Sequence, residues 1–523
     1  MSTQTHRRLA VSGLAVAALA AGALTATPTA TAVQTAAPGD SPLVLKAPDS
    51  ITVRSHGGQV YSDFGLSMVA QDENFEIRAT RDTYDDPIEA VWKREAGDIA
   101  LPEGSMTSWR GLDSFVKVVI KRQGKRGRQV MQMPGCFNTY EANRTTPDSP
   151  ARNEYPWACP YNPYTVGSVM GITEGYEVPL LGEYGYYETQ MEPGTYTVTA
   201  SIAPEWLDVF GISDEDGVQS TEVVVKKSRR GENWRPARPT APDARANLAL
   251  ENTPAAPTSA SAGALAPEFA PDLQSLPAFD ISLNGKGTSM RFGANVWNGG
   301  DGPLVIEGFE PQQAGTRARH DGERHLDAYQ YYFDGDGEQS GYDQVGQFTF
   351  HEANHNHWHF EDFARYRLLN DVNGQPGTEA VKSTKASFCL ANTDAVDYTL
   401  PYAEWRPENT DLSSDCGGEE ATHLRQVLST GSGDTYHQFR AGQAFRIGNL
   451  PDAFYWISVE ANPADEPGAE RDGRNLQEGN YDNNDSLRRV ELRTTPRGVR
   501  KVIPAQVGII DENYWGGYYR AGR

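Results

Sequence analysis

Short runs in which apolar and polar residues alternate, separated by turn residues, recur from residue 41 to the C-terminal region. In the first part of the chain they include SFVKVVIKR, GTYTVTASI and STEVVVKK, and later ones include SMRFGANVWN, FARYRLL and SLRRVELR. A two-residue period places alternate side chains on opposite faces of a strand, so one face can pack on a core. Few stretches have a helical period. The pattern predicts an all-β protein made of two β-sandwich-like domains.

Shifts in composition predict how the chain is divided. The predicted segments are a signal peptide (1–32), a leader (33–40), an N-terminal β-sandwich domain of unknown role (41–228), a Pro/Ala-rich linker (229–268), a second β domain (269–498) and a C-terminal tail (499–523). The two domains, of roughly 190 and 230 residues, are each long enough to bury a core of their own. The linker lacks periodicity and is rich in proline, alanine, arginine and serine.

The N-terminus has the features of a secretory signal. Arg7 and Arg8 precede a small, apolar stretch at 9–25, and Ala30-Thr31-Ala32 fits a cleavage site. A single-pass anchor is the alternative, but the stretch is rich in alanine and glycine and runs into a Thr/Pro segment, which favours cleavage. No later stretch is long and apolar enough to span a bilayer. We therefore expect a secreted protein without a membrane span.

Four cysteines in an exported protein predict two disulfides. Three pairings are possible in principle. The local pairs, Cys136–Cys159 and Cys389–Cys416, keep each bridge inside one predicted domain.

The charge balance is strongly acidic. The chain has 47 Lys and Arg against 70 Asp and Glu, a net charge of −23, and loss of Arg7 and Arg8 with the signal makes it −25. Such a surface repels nucleic acid and attracts cationic partners, including amine-bearing substrates. It also keeps a protein soluble, so charge alone does not identify the partner.

Residues 355–359 read His-Asn-His-Trp-His and hold three of the ten histidines. On an extended strand His355, His357 and His359 point to one face, with successive Cα atoms roughly 6.6 Å apart. Three neutral imidazoles suit copper, zinc, iron or nickel, and Cu(II) binds such sites most tightly. The alternative is a run of surface or core histidines, which the scarcity of histidine disfavours.

Five blocks of sequence resemble the lysyl oxidase family, in the order in which that family has them. They are APDL at 270–273, HEANHNHWHFEDFARYRLL at 351–369, STKASFCL at 383–390, GSGDTYHQF at 431–439 and EGNYDNN at 478–484. Together they cover roughly residues 266–495, a little under half of the chain. The resemblance implies that the second β domain is a lysyl oxidase-like catalytic domain.

The resemblance also implies a chemistry. His355, His357 and His359 would bind Cu(II), and Lys385 would be joined to an oxidised Tyr436 in a lysine tyrosylquinone cofactor. The substrates would be a primary amine, such as a lysine side chain, and dioxygen, and the products an aldehyde, ammonia and hydrogen peroxide. Without the resemblance, Lys385 would be interpreted as a surface lysine extending past apolar neighbours on a strand, and Tyr436 as a turn tyrosine.

Removal of the substrate α-proton requires a base whose pKa is near the working pH. Asp434 is the first candidate because it lies inside the family block. His437 and His351 are the other candidates, and either could instead orient a copper ligand.

An oxygen-rich turn around Glu478, Asn480, Asn483 and Asn484 has the ligand type that Ca²⁺ requires. The resemblance adds the Asp272 side chain and the Leu273 carbonyl to this site. Asn480 stands where the family has an aspartate, which removes one charge. An Asn/Asp-rich hairpin without a metal is the alternative.

This sequence departs from the family in two places. The catalytic domain has two cysteines, where the animal enzymes have five disulfides, and residues 400–430 differ from the family pattern. Because those segments shape the substrate entrance, collagen or elastin as substrate does not carry over.

Two other functions remain open. One is a non-catalytic extracellular binding module stabilised by metal, and the other is a zinc hydrolase that uses the same histidines. Neither requires both Lys385 and Tyr436. For the hydrolase, His351-Glu352 lacks the second histidine of the H-E-x-x-H motif.

Overall fold

The computed structural model of the protein describes residues 36–37, 39, 41–181, 187–228, 256–311, 324–351, 356–383, 385, 387–407, 410, 412–464, 473–510 and 512. The predicted signal peptide, most of the leader and residues 229–255 of the predicted linker lie outside these ranges. By its contacts the chain divides into Met1–Val33 and Gln34–Arg523, so every described residue belongs to one compact unit. We call residues 41–228 the first half and residues 256–512 the second half.

The first half contains fifteen strands and one α-helix among its described residues. The strands are β1 Leu43–Lys46, β2 Ser50–Ser55, β3 Gln59–Ser62, β4 Ser67–Ala70, β5 Phe75–Thr80, β6 Glu89–Lys93, β7 Ile99–Ala100, β8 Leu112–Arg122, β9 Gln129–Gly135, β10 Asn143–Arg144, β11 Gly167–Ile172, β12 Tyr176–Pro179, β13 Tyr187–Gln190, β14 Gly194–Ile202 and β15 Val218–Lys227. The helix, α1, spans Pro204–Phe210. Proline suits its first turn, where no N–H is needed, and Gly211 ends it in a left-handed conformation with φ of 66°.

The first-half strands form four sheets around one hydrophobic core. Their orders are β1-β4-β12-β10, β11-β5-β6-β7, β13-β3 and β2-β15-β14-β8-β9. The core includes Phe75, Trp92 and Phe210, whose rings make edge-to-face and tilted contacts at 5.1 to 5.7 Å. The buried alternate positions of β14 and β15 supply further aliphatic side chains to this core.

The second half is also almost entirely β. Its strands are β16 Ser261–Ala262, β17 Leu273–Ser275, β18 Phe279–Leu283, β19 Ser289–Asn298, β20 Leu304–Phe309, β21 His325–Phe333, β22 Gln339–His351, β23 His357–Phe360, β24 Ala364–Val372, β25 Gln375–Lys382, β26 Asp394–Ala395, β27 His423–Leu428, β28 Ser432–Tyr436, β29 Ala444–Arg446, β30 Ala453–Ala461, β31 Asp485–Thr494 and β32 Arg500–Pro504. A 3-10 turn spans Pro267–Phe269. The predicted all-β class is confirmed.

Three sheets make up the second half. Their orders are β16-β22-β21-β20-β27 with β23 on β22, β17-β19-β28-β26 with β18 and β29 on β19, and β25-β24-β30-β31-β32. They share one hydrophobic core that includes Phe292, Trp358 and Phe445. Part of the predicted linker belongs to this structure, because β16 pairs with β22 at Ser261↔Asp343 and Ala262↔Tyr342.

The two halves are joined by backbone hydrogen bonds. Gly167, at the start of β11, forms a parallel bridge with Asp397, which follows β26. Val166 N donates to Val396 O (2.8 Å), and Tyr398 N donates to Gly167 O (3.0 Å). One small buried cluster mixes residues of both halves: Tyr155, Val169, Ala395 and Tyr398. The contact therefore combines strand pairing with apolar burial.

The end of the chain makes a second contact between the halves. After β32, Ile509 N donates to Tyr84 O of the first half (2.8 Å). Val507 and Ile510 pack on a cluster that contains Tyr164 of the first half. The predicted tail thus contacts both halves. Among the described residues, no helix has the length and apolar character needed to cross a bilayer.

Both predicted local disulfides are present. Cys136 and Cys159 are bonded with Cα atoms 6.1 Å apart, and Cys389 and Cys416 with Cα atoms 5.7 Å apart. Each bridge lies inside one half.

Because strand pairing and two apolar clusters connect the halves, cleavage between them should not separate them. We expect a single protease cut introduced at 229–255 to give two fragments that elute together in native size-exclusion chromatography and melt in one transition. The uncut protein is the control. Elution of two independent, folded fragments would contradict this expectation.

Candidate functional site

The hairpin of β22 and β23 fixes the orientation of two of the predicted copper ligands. His351 lies opposite His357, and Thr349 lies opposite His359, while Trp358 between them turns into the core. His357 and His359 consequently share one face of the sheet, and their ring centroids are 4.8 Å apart. His359 is 3% exposed. His355 lies outside the described residues.

This arrangement fits a copper ion. The Ser387 hydroxyl lies 3.4 Å from His359 Nδ1, and a hydrogen bond at one ring nitrogen is what orients the other toward a metal. His357 and His359 would each offer an imidazole nitrogen, a ligand type that suits Cu(II). Among the described residues no group of three or more His, Cys, Asp or Glu side chains is placed to hold a metal ion, and the third predicted ligand, His355, is not one of those residues.

Lys385 is connected to His359 through Ser387 and is almost fully buried. It is 8% exposed, and its Nζ donates to Ser387 O (3.1 Å). The same Nζ lies 4.6 Å from the centroid of the Phe388 ring and 4.3 Å from that of the Tyr436 ring. Burial, opposed by the charge of Asp434 and aided by that of Arg440, lowers the pKa of Lys385 to about 8. Lys385 itself is not in a strand: β25 ends at Lys382, and among the described residues of 383–390 the one bridge is that of Phe388 with Phe360.

Tyr436 is the last residue of β28, and its hydroxyl is hydrogen-bonded to the backbone N and O of Cys389. Cys389 N donates to the Tyr436 hydroxyl (2.9 Å), and this hydroxyl donates to Cys389 O (3.0 Å). Its ring packs edge-on against Phe388, with centroids 4.8 Å apart. Burial raises the pKa of Tyr436, and the charge of Asp434 raises it further. The resemblance predicted that Lys385 and Tyr436 meet, and their side chains are in contact.

The three candidate bases have different surroundings. Asp434 is 5% exposed and lies on the same face of β28 as Tyr436, two residues away. His437 stacks on Phe439 with centroids 5.3 Å apart, and burial lowers its pKa to about 4. The side chain of His351 lies outside the described residues. Asp434 is therefore the candidate whose charge acts on both Lys385 and Tyr436.

Two residues near Lys385 escaped the sequence analysis. Ser387 contacts both Lys385, through its carbonyl, and His359, through its hydroxyl. Gly442 has φ of 82°, and a Cβ there would lie 2.8 Å from Lys385 Cβ, so only glycine lets this turn pack on the lysine. The Ser387 contact with Lys385 uses a backbone atom and Gly442 acts by close approach, and neither leaves a periodic signal in a sequence.

The predicted calcium residues form a buried group of oxygen atoms. Glu478 accepts from Leu273 N (2.8 Å) and from Asn484 Nδ2 (2.7 Å), and Asn483 Nδ2 donates to Asp272 Oδ2 (2.9 Å). Three buried oxygens have no hydrogen-bond donor among the described residues: Asp272 Oδ1, Asn483 Oδ1 and Asn484 Oδ1. Buried oxygens without donors are costly unless a cation satisfies them, so this donor set fits Ca²⁺.

Asn480 lies apart from these oxygens. It is exposed, and its side-chain oxygen accepts a hydrogen bond from Asp482 N (3.0 Å). Glu478, in contrast, is 6% exposed, and burial raises its pKa to about 7. A cation beside such a buried carboxyl would stabilise its ionised form and so lower its pKa.

Comparison of the chain with models of known protein families gave no match. Comparison with curated protein sequences likewise gave no match. The functional assignment therefore depends on the residues and contacts described above.

Copper binding by the β23 histidines is testable one ligand at a time. His357→Ala and His359→Ala should each remove most of the copper from the purified protein, because each deletes one nitrogen ligand. Elemental analysis measures copper per chain, and circular dichroism checks the fold. His423→Ala is the control, since His423 contacts Glu307 on β20 instead. Full copper occupancy in either variant would reject the site.

Calcium should stabilise the protein rather than take part in chemistry. At a calcium concentration 100 times its Kd we expect stabilisation of about 2.7 kcal/mol, seen as a higher melting temperature. Asn483→Ala should remove most of that gain, whereas Asn480→Ala, which changes an exposed side chain, should retain it. If the melting temperature of the wild-type protein does not change with calcium concentration, the predicted calcium site is rejected.

Proposed function

We propose that this protein is a secreted copper- and quinone-dependent amine oxidase that converts primary amines to aldehydes. The observation that carries the proposal is the position of Lys385 Nζ, 4.3 Å from the centroid of the Tyr436 ring and in a buried setting. Ser387 links this buried lysine to His359, since its carbonyl accepts from Lys385 Nζ and its hydroxyl lies 3.4 Å from His359 Nδ1. Lys385, Tyr436 and His359 each have a role in the proposed chemistry.

The proposed cofactor is a lysine tyrosylquinone made from Lys385 and Tyr436, which with copper supplies an electron sink for amine oxidation. His357 and His359 would hold the copper, together with His355. Lys385 has the properties that joining to an oxidised tyrosine requires. Its pKa of about 8 leaves a useful neutral fraction near physiological pH, and its amine lies at the face of the ring it would add to.

Asp434 is the proposed base for the substrate α-proton. It lies on the same strand face as Tyr436 and is nearly buried, so it is held close to the ring at which the substrate amine would react. The neutral, weakly basic His437 is the weaker candidate because burial lowers its pKa to about 4.

The overall reaction consumes a primary amine, dioxygen and water, and releases an aldehyde, ammonia and hydrogen peroxide. Two electrons and two protons leave the amine and reduce dioxygen to peroxide. Two disulfides and the absence of a membrane-spanning helix among the described residues are compatible with the proposed export. In this proposal the Asp272, Glu478 and Asn483 region binds calcium and has a structural role.

Lys385→Arg and Tyr436→Phe should abolish both peroxide release and reaction with a hydrazine probe. The first change removes the nucleophilic amine, since guanidinium stays charged, and the second removes the phenol to be oxidised. Peptide mass spectrometry of copper-loaded protein should find the two residues covalently joined in the wild-type protein but not in either variant. Both variants should keep their copper.

Lys382→Arg and Tyr402→Phe are matched controls, because both residues are exposed. They should retain activity and the cross-link. A copper-loaded, active preparation in which the Lys385 and Tyr436 peptides are unmodified and separate would overturn the proposal. The metal-stabilised binding module would then be the better interpretation.

A further inference from the structure

The first half approaches the proposed cofactor strand directly. A segment of the first half, residues 162–167, lies against β26 and the residues after it. Thr165 Oγ1 donates to Ala395 O (2.8 Å), next to the bridge between Gly167 and Asp397. Since β26 pairs with β28 at Asp394↔Gly433, backbone hydrogen bonds run from the first half to the strand that carries Tyr436.

Side-chain hydrogen bonds hold this segment in place. The Arg81 side chain, 7% exposed, donates to Thr165 O (3.0 Å) and to Pro163 O (2.8 Å). Asn162 Oδ1 accepts from Tyr164 N (2.9 Å), which fixes the turn. Asn162 is 1% exposed, so its remaining amide N–H groups must find partners inside the protein.

Those partners lie on the second half. Asn162 Nδ2 donates to Thr435 Oγ1 (3.4 Å), across 273 positions of sequence. Asn295 Nδ2 donates to the same hydroxyl (2.9 Å) and to Asp394 Oδ2 (3.2 Å). Burial raises the pKa of Asp394 to about 6, against the opposing effect of hydrogen bonds from Thr435, Asn295, Asn162 and Thr393. We call Asn162, Asn295, Asp394 and Thr435 the asparagine network.

Thr435 stands between the two residues proposed for chemistry. Because side chains alternate along a strand, Asp434 and Tyr436 share one face of β28, and Thr435 points to the other. A buried, hydrogen-bonded threonine at this position restrains the backbone of β28, and so the positions of the Asp434 and Tyr436 side chains. Chemistry between a lysine and a ring is sensitive to such placement, since a shift of about 1 Å can cost roughly 100-fold in rate.

We infer that Asn162, a residue of the first half, is a positioning residue for Tyr436, acting through Thr435. The expected effect on quinone formation rests on the proposed function. The effect of Asn162 on the rigidity of β28 can be measured whether or not that function holds. The first half then has a defined role: it completes the support of the cofactor strand.

The experiment uses the full chain with Asn162→Ala and the control Asn138→Ala. Asn138 is 4% exposed, donates to Ala158 O and Val169 O, and accepts from Gly171 N, so it is a similarly buried asparagine whose side-chain hydrogen bonds stay within the first half. Two quantities are measured at a temperature where both variants are folded. They are the rate at which copper-loaded protein gains hydrazine-reactive quinone, and the hydrogen exchange of the peptide that contains β28.

Asn162→Ala should slow quinone formation about tenfold and speed exchange in β28, at unchanged copper content. Asn138→Ala should lower the melting temperature but leave both quantities at the wild-type level. Thr435→Val removes the shared hydroxyl from the other side and is an independent variant. Combined with Asn162→Ala, it should be no slower than Thr435→Val alone, because both changes break one interaction.

The outcomes separate the two claims. Wild-type rates and exchange in Asn162→Ala, or equal slowing in Asn138→Ala, would overturn the inference and leave the oxidase proposal intact. If the unmodified protein forms no quinone, the proposed function fails, and exchange in β28 still decides whether Asn162 stabilises that strand.

Discussion

The side-chain alternation of β28, a strand of five residues, is the constraint on which the site depends. One face of it carries Asp434 and Tyr436, and the other carries Gly433 and Thr435. β19 and β26 pair with its two edges, so its backbone cannot shift without breaking two ladders. Everything proposed for the site requires that this short strand keep its register, because a slip of one residue would exchange its two faces.

Rigid support matters most here because the remaining elements of the site are irregular or short. Lys385 lies outside any strand and is held by Ser387 O and by packing against Gly442. The Tyr436 hydroxyl binds backbone atoms of Cys389, which the disulfide to Cys416 ties to another segment. These contacts fix a loop against a strand, and precise placement then follows from the strand.

The strands could be predicted because their pattern is local. The run SMRFGANVWN coincides with β19, and SLRRVELR lies within β31. Both combine β-branched or aromatic residues with alternation, which is the signal that strand formation leaves in a sequence. The local disulfides were likewise predictable from the division of the chain, since each joins residues fewer than thirty positions apart.

The contacts between distant segments left no such signal. Residues 256–268 read as linker, yet β16 pairs there through backbone atoms, which any side chain allows. The meeting of Lys385 with Tyr436 was predictable only from the resemblance, because apolar neighbours suggested a strand where the chain is irregular. Asn162 had no distinguishing feature at all: its role comes from a turn that Arg81 holds and from a partner 273 positions away.

The energetics of Lys385 distinguish a surface lysine from a functional one. A lysine that extends past apolar neighbours keeps its ammonium in water and its pKa near 10.5. Here the side chain is 8% exposed, and moving its pKa from 10.5 to about 8 corresponds to roughly 3 kcal/mol against the charged form. The buried amine between Phe388 and Tyr436 therefore supports the proposed role of Lys385 in the cofactor.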